Sequence, residues 1–243
     1  MLPISCYPSP SKCSQSGFFE LLETNSGPAT GTFDPSITTF TSKTIMCDYG
    51  DGSIEILTGT THNFSHTYAT PGTYRVKFRG ISLRDIKDID GRDDKVTNLF
   101  GLRSLSMLRT IYMLTNANLH FCLSDLPAGL TYANFSNCSL LTGSLSDLPA
   151  GLTYAGFYSC SLLTGSLSDL PAGLTFASFY SCSLLTGSLS DLPAGLTFAS
   201  FYSCSSLTGS LSDLPVGLTY VNFSNCSLLT GSLSDLPAGL TYA

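Results

Sequence analysis

Three columns of side chains with chemical potential recur every 22 residues in the second half of the chain. The first is Cys138, Cys160, Cys182, Cys204 and Cys226, the second Asp125, Asp147, Asp169, Asp191, Asp213 and Asp235, and the third a set of aromatic and small polar residues. Thiols at a fixed spacing could pair or hold a metal. There is no CxxC and no His beside them, so the column is a poor zinc site. Copies stacked about 5 Å apart come within disulfide reach, but stacked residues point the same way, and buried thiols are the simpler reading. The carboxylates could form a calcium ladder, since oxygen ligands suit that ion. The simpler reading is again structural: each Asp stands just before Leu-Pro and caps a short turn by accepting backbone N–H groups, with Pro in the first turn, where its missing donor costs nothing. No metal or cofactor is expected.

Catalysis finds no support. His62, His66 and His120 all lie outside the repeated copies, and no Ser/His/Asp or Cys/His arrangement or phosphate loop is visible. Cys6, Cys13, Cys47 and Cys122 lie outside the cysteine column, and a total of nine leaves at least one thiol free. Asn63, Asn134, Asn137, Asn222 and Asn225 fit the glycosylation sequon, which arises easily in Asn- and Ser-rich repeats.

The third column carries the candidate site. The copies are nearly identical, and their differences concentrate at four positions, which read Tyr132-Asn134-Ser136-Asn137, Tyr154-Gly156-Tyr158-Ser159, Phe176-Ser178-Tyr180-Ser181, Phe198-Ser200-Tyr202-Ser203 and Tyr220-Asn222-Ser224-Asn225. Rigid aromatics beside small hydrogen-bonding residues make an adaptable contact surface for protein or glycan. The alternative is that the aromatic columns stack on each other and stabilise the sheet. The two are compatible.

Composition narrows the partners. Of 17 acidic residues, six Asp lie in residues 123–243, where there is no Lys, Arg, Glu or His; the other 11 balance the 11 basic residues, so the net charge of -6 sits on the C-terminal half. A surface of one negative sign repels phosphate, which argues against nucleic acid and anionic membrane. No apolar stretch approaches the roughly 20 residues of a membrane span. The first residues, Met1 to Pro10, lack the basic and apolar regions of a signal peptide, which leaves an export signal removed earlier or an unconventional route, such as a virion component assembled in the cytosol.

These side chains need an element to hold them. Five complete copies of 22 residues run from Leu123, Leu145, Leu167, Leu189 and Leu211, and a sixth starts at Leu233 and stops at Ala243. From Leu130 the unit reads L-x-x-A-x-F-x-x-C-x-L-L-x-G-x-L, which resembles the leucine-rich-repeat pattern L-x-x-L-x-L-x-x-N/C-x-L. One period earlier, Leu108, Ile111, Met113 and Asn116 keep the register, with Asn in the Asn/Cys position. The resemblance implies a right-handed solenoid of stacked coils over residues 108–243. Tyr132–Ser136 is the strand, sending Ala133 and Phe135 inward and Tyr132, Asn134 and Ser136 outward, with strands pairing in parallel about 4.8 Å apart. The segment 124–129 is too short and too rich in Pro and Gly for a helix and predicts a turn or a 3₁₀ segment.

Upstream, Asp48-Tyr-Gly-Asp-Gly-Ser53 and His66-Thr-Tyr-Ala-Thr-Pro-Gly-Thr-Tyr-Arg-Val76-Lys-Phe78 resemble the PKD family, whose pattern is W-D-F-G-D-G-S followed by H-x-Y-x-x-P-G-x-Y-x-V. Cys47 stands where that family has Trp. The glycines of 50–52 and Pro71-Gly72 suit tight turns, and 74–78 alternates as a half-buried strand. The fold expected is therefore mainly β: a PKD-like, immunoglobulin-type sandwich over residues 1–80, a polar cap over 81–107 and the solenoid over 108–243. PKD modules imply spacers or adhesive units on exposed proteins, and the combination is similar to surface or virion proteins of Bacteroidetes-like bacteria and their phages. The leading expectation is a non-enzymatic extracellular, cell-surface or virion protein that binds glycan or protein on a cell surface through a concave aromatic face. The alternative is a structural subunit that self-associates end to end through an uncapped last coil, forming filaments or a surface layer.

Overall fold

A computed structural model describes residues 19–25, 32–80, 84–92 and 96–242. Among them there is no α-helix; strands are joined by turns and by 3₁₀ segments of three residues each. The N-terminal part holds β1 (Phe19–Asn25), β2 (Thr32–Phe33), β3 (Ser36–Asp48), β4 (Ile54–Asn63), β5 (His66–Thr67), β6 (Gly72–Arg79), β7 (Ile86–Asp90) and β8 (Val96–Phe100). The expected start of this module at residue 1 lies outside the described residues.

The thirteen-residue β3 organises this part by changing partners along its length. Its first half pairs with β7 (Ile37 opposite Ile89), its last residues pair with β6 (Cys47 opposite Phe78), and β4 runs antiparallel along it with a register shift between Thr38 and Lys43. Alternation fixes which face is covered: Ile37, Ile45 and Cys47 are fully buried, as are Val76 and Phe78 of β6. The turn after β3 is built by its own side chains. Asp48 Oδ1 accepts the Gly50 N–H at 3.0 Å and Asp51 Oδ1 accepts the Ser53 N–H at 2.9 Å. Gly50 has φ 81°, and a Cβ there would lie 2.8 Å from the Arg75 carbonyl oxygen, so only glycine fits. His66 closes the turn: its Nε2 lies 2.7 Å from Asp51 Oδ2, and its ring stacks 4.3 Å from that of Tyr49.

From β7 onward the chain winds in coils. Strands β9 (Thr110–Tyr112) and β10 (Tyr132–Asn134) pair in parallel, and β12 (Tyr154–Gly156), β14 (Phe176–Ser178), β16 (Phe198–Ser200) and β18 (Tyr220–Asn222) follow at one strand per coil. β11 (Gly143–Ser144), β13 (Leu163–Ser166), β15 (Leu185–Ser188) and β17 (Leu207–Thr208) form a second parallel sheet that the repeat pattern did not predict. Gly143, Gly165, Gly187 and Gly209 make it possible, with φ from 108° to 124°. A Cβ there would press within about 3 Å of the preceding coil.

The segment expected as a polar cap carries a coil strand of its own. β7 pairs in parallel with β9, Ile89 opposite Ile111, so the 22-residue register begins one coil earlier than the pattern suggests. Because β7 also pairs with β3, one sheet runs without interruption from the N-terminal strands through the solenoid. Between the sheets lies a single core. Leu152, Ala155, Phe157, Cys160 and Leu163 are fully buried, and so are their equivalents one coil on. Phe135, Phe157, Phe179 and Phe201 form an internal stack with ring centroids 5.4–6.0 Å apart.

Candidate functional site

The three columns meet different fates. Each column cysteine is buried and free, and its thiol donates to a backbone carbonyl of the previous coil: Cys160 to Phe135 at 3.1 Å, Cys182 to Phe157 at 3.2 Å, Cys204 to Phe179 at 3.1 Å. Asn116 occupies the equivalent position one coil earlier and plays the same part. Its Nδ2 donates to the Gly91 carbonyl at 2.8 Å, the same 25-residue step back along the chain. Burial pushes the thiols of Cys138 and Cys182 up to about 12, and those of Cys160 and Cys204 are raised by burial and by the neighbouring thiols. Such thiols are inert toward metals and electrophiles near neutral pH.

The Asp column caps, by a geometry that differs from the expectation. In the second coil the 3₁₀ turn is Leu145–Asp147 with Ser144 as N-cap; the Ser144 side chain accepts the Ser146 N–H, and Asp147 Oδ2 accepts the Ser144 N–H at 3.0 Å. This is a capping box, in which Asp occupies the third turn position. Pro149 therefore lies beyond the turn instead of in its first positions, and it suits the extended backbone of Leu148, with ψ 136°. The first coil departs: Cys122 is its N-cap and makes no side-chain cap, and Asp125 faces Arg103 at 3.9 Å. Among the described residues no three His, Cys, Asp or Glu side chains gather as a metal site.

The third column is assembled on the outer face of the parallel sheet. Tyr132, Tyr154, Phe176, Phe198 and Tyr220 form one continuous stack, with centroids 3.9, 4.1, 4.2 and 4.2 Å apart and planes within 11° of parallel. Tyr158, Tyr180 and Tyr202 form a second stack at 4.4 and 4.3 Å. The stacking arises from the parallel register, which sets equivalent side chains one strand spacing apart. Between the stacks, Asn134, Gly156, Ser178, Ser200 and Asn222 line the middle of the sheet.

The expectation that all these residues project freely is corrected for the middle row. Asn134 and Ser200 are buried, while Ser178 and Asn222 are partly exposed. Asn134 Oδ1 accepts the Ser136 N–H at 3.1 Å, and Asn222 Oδ1 accepts the Ser224 N–H at 3.1 Å. Ser136 and Ser224 stand where the second stack would continue. The fourth variable position is a backbone position: Asn137, Ser159, Ser181, Ser203 and Asn225 all have φ of 59–64°, and Asn is among the side chains that tolerate this best. Burial comes first in holding the Tyr132 phenol above its ordinary value, followed by its bond to Tyr154. At Tyr180 desolvation again comes first, with Tyr202 and Tyr158 adding to it. These hydroxyls stay protonated and available as donors.

The first stack is longer than the variable positions revealed. Tyr242 stacks on Tyr220 at 4.5 Å, and Tyr112 packs against Tyr132 at 4.7 Å with its ring tilted by 45°. At its N-terminal end the guanidinium of Arg92 sits 5.0 Å over the Tyr112 ring and is held by Asp90, with Nε 2.9 Å from Oδ1. The 22-residue step from Tyr220 to Tyr242 was the available signal at one end; at the other, the step back from Tyr132 lands on Thr110, and Tyr112 lies two residues further along the same strand. Comparison with protein-family models, with curated proteins and with solved structures gives no match for this chain.

Proposed function

We propose that this chain is a non-enzymatic recognition protein of an extracellular, cell-surface or virion setting, which binds protein or glycan through the aromatic outer face of its parallel sheet. The observation that carries the reading is the pair of ring stacks with a row of small polar residues between them, on coils that carry no Lys, Arg, Glu or His. Stacking alone accounts for the first ladder, which runs through each coil from Tyr132 to Tyr242; it does not account for a second ladder confined to three. The coils are read as leucine-rich repeats, supported by the shared donor role of Asn116 and the cysteines. The N-terminal strands are read as a PKD-like sandwich, supported by the Asp51–His66 pairing at the motif turn and the partner switch of β3. Cys122 is disulfide-bonded, which suits an oxidising compartment.

The test is capture on panels of surface-displayed proteins and glycans by the full chain and by a variant with Tyr158→Ala, Tyr180→Ala and Tyr202→Ala. Capture by the native chain and its loss in the variant, with the thermal midpoint retained, is the expected result. Undiminished capture by the variant removes the aromatic face from consideration. Light scattering over a hundredfold concentration range reads out self-association in the same samples, and growth with concentration would favour a structural subunit.

A further inference from the structure

The outer face is not uniform along the solenoid, and its departures are bounded on both sides. In the coils beginning at Leu145, Leu167 and Leu189 the middle residue is small (Gly156, Ser178, Ser200) and the second stack is present. In the flanking coils both change together, to Asn134 with Ser136 and to Asn222 with Ser224. Two walls of rings thus enclose a short floor with an Asn amide at each end. The Asn134 amide leans over its neighbour: a Cβ on Gly156 would lie 2.8 Å from Asn134 Cγ, so that glycine is the space the amide fills. With strands about 4.8 Å apart, the three coils give a trough on the order of 14 Å long.

What the walls offer follows from their stacking. With rings 4.1–4.4 Å apart and planes within 20° of parallel, the π-faces within each stack are covered by the next ring, leaving only the outer faces of Tyr158 and Tyr202 at the ends of the second stack. A ligand therefore meets ring edges, the positive end of the aromatic quadrupole, and the phenol O–H groups of Tyr154, Tyr158, Tyr180 and Tyr202. The floor adds the partly exposed Ser178 hydroxyl. All of these seek oxygen acceptors, and none carries a charge to pair with an ionic ligand. An extended polypeptide repeats every ~6.7 Å on one face and falls out of step with a coil spacing of about 4.8 Å. A chain of linked pyranose rings repeats at close to one coil and is dense in hydroxyl and ring oxygens.

We infer that the trough over residues 145–210 is a binding site for an uncharged linear glycan lying along the solenoid axis. This rests on the recognition reading above and narrows it to one ligand class. The test is affinity electrophoresis of the full chain in gels containing mixed-linkage β-glucan, xyloglucan or galactomannan as neutral chains, with alginate as the charged control. Retardation by a neutral chain and none by alginate is expected. A double variant, Ser178→Asn with Ser200→Gly, rebuilds in mid-trough the pair that Asn134 and Gly156 already form, and leaves both walls intact. It should weaken retardation about tenfold or more, as should Tyr180→Ala, while Val216→Ser at a site 91% exposed leaves it unchanged. Native-level retardation of both the double variant and Tyr180→Ala overturns the trough as the site. If no neutral chain retards the native protein, the glycan class is overturned; capture of displayed proteins that the triple tyrosine variant loses would then keep the broader reading, and its absence would remove both.

Discussion

The single residue that reports most about this molecule is the column cysteine. Its side chain does what Asn116 does, donating to a carbonyl one coil back, and it does so from a fully dry interior. Because burial raises these thiols from an ordinary 9.0 to about 12 at Cys138 and Cys182, the folded state holds its protons more tightly than the unfolded one. Stability is then complete below about pH 9 and declines as pH rises from there toward 12. The partly buried tyrosines Tyr112 and Tyr132, raised first by desolvation, act in the same sense above 10.0. We expect the thermal midpoint to fall steeply between pH 9 and 11, and to fall less in a Cys160→Ala, Cys182→Ala variant whose midpoint at pH 8 is already lower. A flat profile in the native chain would contradict the burial assigned to the column. The sequence carried this part well, since an apolar neighbourhood and the absence of any partner His or CxxC already pointed to buried thiols. It did not show the bond to the previous coil, because that depends on a carbonyl 25 residues away.

Among elements, the 3₁₀ turn is the most informative. A turn in the return path was legible from Pro and Gly, and the role of Asp as a cap from its place beside the apolar run. The orientation of the box was not, because Ser144 lies before the segment read as the turn, and Asp147 reaches back to its N–H. Replacing Asp169 by Ala removes the acceptor for the Ser166 N–H, held at 3.1 Å, and should cost about 1 kcal/mol in denaturant unfolding. An unchanged unfolding midpoint would mean that water serves that amide equally well. The second parallel sheet was illegible for a related reason. Its Leu-Thr-Gly-Ser strands contain a glycine at positive φ and follow no alternation, so only the neighbouring coil makes them strands; Thr186 Oγ1, for example, donates to the Gly165 carbonyl at 3.2 Å.

At the scale of the molecule, repetition has a thermodynamic meaning: each coil touches only its neighbours, so stability adds coil by coil. Deleting residues 167–188 joins Ser166 to Leu189 in register, and we expect a folded chain with a lower midpoint, measured by circular dichroism, and a trough shortened to two coils. Failure to fold would show that contacts beyond nearest neighbours matter. The 22-residue period was fully legible, whereas the start of the solenoid was not, because β7 is hidden among Asp, Lys and Arg and is recognisable only by its pairing with β9. That same strand has a mechanical side. Since β7 hydrogen-bonds to β3 on one edge and to β9 on the other, the junction between the N-terminal strands and the coils has no swivel. Whatever the N-terminal part is fastened to, the aromatic face keeps a constant heading relative to it, as a plate does on a bracket, and anything that reaches that face must arrive from the side to which the bracket turns it.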